Sequence, residues 1–159
     1  MYCEILMMNL YAGTFLKSSS TLDDPNFQQA LVLITEHNAN GSTGFVVNKL
    51  FPRTLNELTA FSHVIEFPLY KGGPVDPEHL YFIHRRPDLI GGGMLIANNL
   101  YFGGDFNYAV RCINNRMIKI DDIKIFIGYC GWDNEELEEE IAEGSWQIID
   151  NDAKTVFAS

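Results

Sequence analysis

The sequence predicts an α+β fold in a single domain, and three observations carry that prediction. The chain has 159 residues, which is one domain by length and enough to remove roughly two-thirds of its unfolded surface from water. Its apolar runs are short, β-branched and aliphatic, with turn residues between them, as strands require. Other stretches combine a capping residue with apolar side chains at helical spacing. No repeat or low-complexity linker divides the chain, so residues 1–159 are expected to form one unit.

The elements follow in order. Leu31 to Thr35 reads as a buried strand and Gly44 to Asn48 as a second. The polar turn Asn38-Ala-Asn-Gly41 between them predicts a hairpin. Thr54 and Glu57 have capping-box spacing, and the helix they open would bury Leu55, Leu58 and Phe61. Pro68 limits it. A strand over Leu69 to Lys71 enters Gly72-Gly73-Pro74, and Leu80 to Ile83 is another, ending at His84. Residues 87–99 are glycine-rich and read as a long loop, followed by a short extended piece over Leu100 to Gly103. Asp105 is placed to cap a helix carrying Phe106, Ala109, Val110 and Ile113. Ile123 to Tyr129 is a core strand with Lys124 on one face, and Gly131-Trp132-Asp133 is expected to turn the chain into an acidic helix. Leu137 and Ile141 give that helix an apolar pair, Gly144 ends it, and Trp146 to Ile149 is the last strand.

Charge narrows the function classes. The formal net charge is −10, the wrong sign for a protein that holds nucleic acid through phosphates. Residues 133–152 contain nine acidic side chains and no basic one, a segment that repels DNA, RNA and anionic lipid. No uncharged run is long and apolar enough to span a bilayer. Glu4 stands before the apolar stretch Ile5 to Leu16, where a signal peptide needs positive charge, so export is not expected. Three cysteines without CxxC spacing suit free thiols in a reducing compartment.

Several motifs occur in a fixed order: Gly13-Thr-Phe-Leu16, Asp24-Pro-Asn-Phe27, Glu36-His37-Asn38, Gly41-Ser-Thr-Gly44-Phe-Val-Val-Asn48, Gly72-Gly73-Pro74-Val75, Gly103-Gly104-Asp105, Gly128-Tyr-Cys-Gly-Trp132 and Gly144-Ser-Trp146. This string resembles the YqgE/AlgH family of uncharacterised bacterial proteins over residues 13–149. The resemblance implies a compact α+β fold with a branched, mostly antiparallel β-sheet, partly barrel-like and surrounded by helices. It implies a bacterial cytoplasmic protein and no particular reaction. Some members are named as transcriptional regulators, a label the acidic charge fits poorly. The family often continues past its last strand into a tryptophan-bearing helix, whereas here the residues are Phe157-Ala-Ser159. Cys130 stands where the family usually has Ala or Ser.

The candidate chemistry is sparse. Glu36 and His37 could supply an acid and a base or two metal ligands, but neighbours on a strand point to opposite faces, and tying the turn is the simpler role. The four histidines show no ligand spacing, and neither metal nor cofactor is expected. Cys130 precedes a helix, yet a small packed thiol is the simpler reading. Gly72-Gly73-Pro74 and Gly103-Gly104-Asp105 lack a phosphate-loop pattern and read as tight left-handed turns; Asp105 would repel a phosphate. Trp132 and Trp146 are expected to pack at the two ends of the acidic helix. The sharper alternative exposes Trp132 as an anchor for a basic partner.

The leading expectation is a non-enzymatic binding or regulatory protein acting by protein–protein contact, without membrane and without nucleic acid. Its candidate surface comprises Glu36, His37, Asn48, Gly72, Gly73, Pro74, Gly103, Gly104, Asp105, Gly131 and Trp132. The alternative is a small hydrolase or ligand-binding enzyme using Glu36, His37 and Asp105. The third is a transcriptional regulator.

Overall fold

A computed structural model describes residues 10–20, 22 and 24–158. Ten strands are present among them: β1 (Phe15–Ser18), β2 (Leu31–Asn38), β3 (Gly41–Val46), β4 (Leu50–Thr54), β5 (Pro68–Lys71), β6 (Val75–His84), β7 (Met94–Ala97), β8 (Leu100–Phe102), β9 (Ile123–Asp133) and β10 (Trp146–Ile149). Three helices join them: α1 (Phe106–Asn114), α2 (Glu136–Ala142) and α3 (Ala153–Ala158). The strands run β10-β1-β2-β3-β9-β6-β8-β7, with β5 and β4 branching off β9. All pairings are antiparallel except β5 with β9. The α+β fold and branched sheet are as expected. The sheet curls, bringing Gly13 against Ile96 and Ala97, but it does not close into a barrel.

The branch has a local cause. The first half of β9 pairs with β6 on one edge and β5 on the other, with Tyr70 opposite Phe126. Its second half pairs with β3, Ser42 opposite Trp132. Gly128 lies between the halves at φ +73, a left-handed conformation that suits glycine. A Cβ there would strike the Gly73 carbonyl oxygen, and one on Gly72 would strike the Gly128 carbonyl. Gly72 and Gly73 are therefore glycine because two backbones touch. Neither takes the left-handed turn the sequence suggested, whereas Gly103 and Gly104 do, at φ +72 and +125.

Gly128 also resets which face each β9 residue serves. Ile123, Ile125 and Ile127 pack against α1 residues Ala109, Val110 and Ile113. Phe126 points the other way, into the curl, with Phe15, Leu33 and Phe45. Beyond Gly128 it is Tyr129 that joins this interior, while Cys130 and Trp132 turn to a third cluster with Leu137 of α2 and Trp146. Val156 and Phe157 of α3 add to the curl's interior.

Three expectations are corrected, and one strand was not foreseen. The capping box at Thr54 exists: the Glu57 carboxylate accepts from the Thr54 amide at 3.0 Å. It opens two 3-10 turns, Leu55–Glu57 and Thr59–Phe61, because Leu58 adopts extended backbone between them. The supposed loop 87–99 contains β7, a four-residue strand defined by pairing with β8 rather than by its own pattern. Gly131 to Asp133 continue β9, and the turn falls later, where Glu135 takes φ +65. β1, which local pattern did not mark, is held by β10 and β2 on either side. The N-terminal apolar stretch lies outside the described residues through Asn9.

Candidate functional site

The β2–β3 hairpin end, the end of β9 and the start of β6 enclose an open concavity of about 540 Å³. Glu36 and Asp133 bring carboxylates to it, Asn38 and Asn40 amides, and Tyr129, Gly131 and Val75 its remaining walls. No basic side chain lines it. The hairpin reaches this close because of Gly41: at φ +138, a Cβ there would collide with the Trp132 carbonyl oxygen. A shift of register between Ile34 and Glu36 interrupts the β2–β3 ladder just before Glu36.

His37 lies beside the concavity. Its Nδ1 is 2.6 Å from the Ser42 hydroxyl, and its Nε2 lies 3.8 Å from Glu138 of α2. The imidazole thus links the hairpin to the acidic helix. Trp132 is 7% exposed, so it is no exposed anchor. It and Trp146 do not sit at opposite ends of α2. Their rings meet edge to face at 6.0 Å, and both indole N–H groups donate to one Glu140 oxygen, at 3.1 and 3.0 Å. Glu140 belongs to α2, so this clasp fixes the acidic helix to the back of β9. Cys130 donates to the Gly72 carbonyl at 3.3 Å, and burial pushes its thiol up to about 12, which removes it as a nucleophile.

The other candidate residues lie elsewhere. Asn48 holds the β1–β2 connection, accepting from the Leu31 amide at 3.0 Å and donating to the Gln29 carbonyl at 2.9 Å. Asp105 caps α1 by accepting from the Tyr108 amide at 3.1 Å. It follows β8 at the start of α1 and is not among the residues that line the Glu36 concavity. Glu36, His37 and Asp105 therefore do not converge on one reacting atom. Gly103 and Gly104 belong to Asp105's neighbourhood, where Gly104 packs on Gly91 and Ile90. Gly72 and Gly73 lie against the β9 backbone at Gly128 and Tyr129, and none of Gly72, Gly73 and Pro74 lines the concavity, whose wall begins at Val75. Among the described residues, no three His, Cys, Asp or Glu side chains group to hold a metal ion.

Beside Val75, Asp76 occupies a left-handed conformation, φ +52, unusual for a non-glycine residue. Its carboxylate accepts from the Tyr81 hydroxyl and contacts His79 Nδ1 at 2.6 Å. The Tyr81 bond, then the His79 bond, hold the Asp76 carboxyl below its usual range. The same bond, with burial, pushes Tyr81 up to about 12, and His79 is raised by Asp76. Tyr81 meets Tyr129 edge to face at 5.6 Å, which stiffens one wall of the concavity. Sequence reading missed this cluster and Tyr129: irregular pairing between Val75 and Leu80 hides the strand's alternation.

Two buried polar side chains are structural. His84 is fully buried between Phe82 and Tyr101. Its Nδ1 accepts from the Arg86 amide at 3.1 Å, which leaves the proton on Nε2, 3.1 Å from the Gly103 carbonyl. Burial lowers its pKa and keeps it neutral. Lys124 is 2% exposed. Its Nζ donates to the Val47 carbonyl at 2.7 Å and lies 4.1 Å from the centre of the Tyr70 ring.

An open, branched α+β sheet bearing a polar, carboxylate-lined surface concavity is the class these features define. The AlgH-like family model matches residues 15–159. The chain belongs to this family. A UPF0301 protein of Chlorobaculum tepidum is 37% identical over 148 residues, covering 93% of this chain and 79% of that protein. One from Parabacteroides distasonis is 40% identical over 138 residues, 86% of this chain and 70% of that protein. The crystal structure of a Corynebacterium diphtheriae protein is similar at TM-score 0.77 and 18% identity, covering 95% of this chain and 81% of the other. The solution structure of the AlgH protein from Pseudomonas aeruginosa is similar at TM-score 0.73 and 23% identity, covering 94% and 82%. At these identities the two structures support the fold alone. The family is one of uncharacterised proteins. No described helix is long and apolar enough to cross a membrane.

Proposed function

We propose that this protein is a non-enzymatic binding protein of the cytoplasm, acting by protein–protein contact, and that it receives a basic segment of its partner at the Glu36–Asp133 concavity. One observation carries the reading. Two solvated carboxylates line a concavity with no basic wall, next to a helix that exposes Glu136 and Glu139 and is preceded by the exposed Glu135. Such a field steers and orients a cationic partner, with an on-rate that falls as salt rises. The free, buried thiols Cys112 and Cys130 support a reducing compartment.

The test is a titration with an arginine-rich peptide, followed by backbone amide shifts. Perturbations are expected to gather at Glu36, Ser42, Gly131 and Asp133. The double variant Glu36→Gln/Asp133→Asn is expected to weaken binding by about tenfold or more at an unchanged melting temperature. Shifts scattered over the whole acidic surface, or equal affinity in the variant, would reject the site.

A further inference from the structure

Two neighbouring arginines, Arg85 and Arg86, are used in opposite ways. Arg86 engages its whole fork within the protein. Its Nε and one Nη donate to the two Asp88 oxygens, each at 2.9 Å, and the other Nη reaches Asp122 and the Met117 carbonyl, both at 3.4 Å. Arg85 is comparably buried, with 26% of its side chain exposed against 30%. Its guanidinium nevertheless makes no hydrogen bond among the described residues. It lies over the Phe157 ring, 5.1 Å from the centre, and 3.7 Å from the Asp121 carboxylate, too far for a hydrogen bond. Among the described residues no sealed-off side-chain nitrogen or oxygen lacks a partner, so the unused donors of Arg85 remain accessible.

Arg85 lines a cavity of about 330 Å³ at the seam of the curl, where Gly13 meets Ala97. Phe15, Ala97 and Leu100 give this cavity an apolar lining, and Lys154 adds a second cation on an exposed side chain. Asn151 accepts from the Thr155 hydroxyl at 2.6 Å through its Oδ1, which leaves its NH2 group to donate. One acid lines the cavity, Asp152, and one of its oxygens already accepts from the Lys154 amide at 3.1 Å. Two cations against one carboxylate is a local excess of positive charge in a chain of net charge −10. That excess of one suits a single negative charge better than a phosphate dianion, and a planar carboxylate matches the guanidinium fork. We propose that this cavity binds a small organic monocarboxylate, its carboxylate held by Arg85 and Lys154 and its hydrocarbon body against Phe15, Ala97 and Leu100.

Amide-shift titration of the full chain with hexanoate tests this. Shifts are expected to gather at Arg85, at residues 97–100 and at residues 151–154, with a Kd of about 1 mM for so small a ligand. Hexanol, the same tail without the carboxylate, and inorganic phosphate are expected to leave these amides in place. Arg85→Gln removes the fork and is expected to weaken hexanoate by about tenfold or more. It also takes a cation off the Phe157 ring, so Lys154→Gln is the second variant. Its side chain is exposed, the fold stays intact, and hexanoate is expected to bind about threefold more weakly. Arg111→Gln, which removes an exposed cation outside the cavity, is the control and leaves the affinity unchanged. No response to hexanoate well above the expected Kd, equal shifts with hexanol, tighter binding of phosphate at the same amides, or an equal loss in Lys154→Gln and Arg111→Gln would overturn the proposal.

Discussion

The two halves of β9 share one strand and have opposite fates. From Ile123 to Ile127 it has β5 and β6 on its edges, α1 on one face and the curled interior on the other, and every residue is buried. From Tyr129 to Asp133 only one face is sealed. Cys130 and Trp132 pack under α2, while Gly131 and Asp133 are exposed. The sealed half must dispose of its one charge internally, by giving the Lys124 ammonium a carbonyl and an aromatic ring. The half-open end keeps its carboxylate in water, where desolvation costs nothing until a partner arrives. A rigid back and a wet front on one strand is what a binding surface needs, and only the second half has both.

The sharpest way to break that comparison is to empty the sealed back of the open half. Trp132→Ala removes a buried indole and one of the two hydrogen bonds to Glu140, and is expected to cost about 3–5 kcal/mol. Urea unfolding measures it. Glu140→Gln keeps an acceptor oxygen for the indoles and is expected to lose only about 1 kcal/mol. A Trp132→Ala protein with an unchanged midpoint would mean that the ring is not part of the core.

A somewhat smaller effect is expected where the halves meet. Gly128→Ala forces a side chain into a left-handed conformation and against the Gly73 carbonyl oxygen. The expected loss is about 3 kcal/mol, from strain and overpacking together. A loss below about 1 kcal/mol would mean that the junction relaxes and does not set the face change.

This junction also shows how far the sequence was readable. The long β-branched runs of β2 and β9, the Asp105 cap and the Leu137–Ile141 pair follow from local spacing, and the structure has them. Gly131-Trp132-Asp133 looked like a turn because glycine and aspartate favour turns. Pairing with β3 overrides that preference, and no local signal reports a partner far away in sequence. Trp132 was legible as core or anchor, and only Glu140 reaching both indoles decides it. The concavity was half legible. Glu36 and Gly131 stood out, but Asn48 and Asp105 stood out equally and serve local backbone instead. Motif placement marks where bends occur; it does not say which bends share a face.

Titration sharpens the contrast next. Burial pushes Lys124 down to about 8 from 10.5. Between those values the unfolded chain holds a proton that the folded chain has released, so stability rises with pH across that window. Below about pH 8 the lysine is charged in both states, and the cost of burying that charge is carried in full. Lys124→Met removes this dependence. The stability of the methionine variant relative to wild type is therefore expected to be most favourable below pH 8 and to decline above it, read by urea midpoints across the range. Tyr81, pushed up to about 12, is present in both proteins and cancels in the difference. A difference that is flat with pH would place the ammonium in a wetter site than its burial indicates.

The smallest effect is expected three residues beyond the junction. Gly131 has an ordinary φ, and a Cβ there would meet only the Tyr129 ring, at 3.6 Å. Gly131→Ala should leave stability within about 0.5 kcal/mol of wild type, because an exposed position in ordinary contact gives a methyl group nothing to strain against. The methyl does enter the floor of the concavity, between Tyr129 and Asp133. The arginine-rich peptide should consequently bind this variant less tightly while the melting temperature holds. Set beside Gly128→Ala, it separates the two reasons for glycine on one strand: at Gly128 a side chain would break the fold, and at Gly131 it would only fill the space a partner needs. Unchanged peptide affinity in Gly131→Ala would mean that the open face of β9 is not the floor of the binding site.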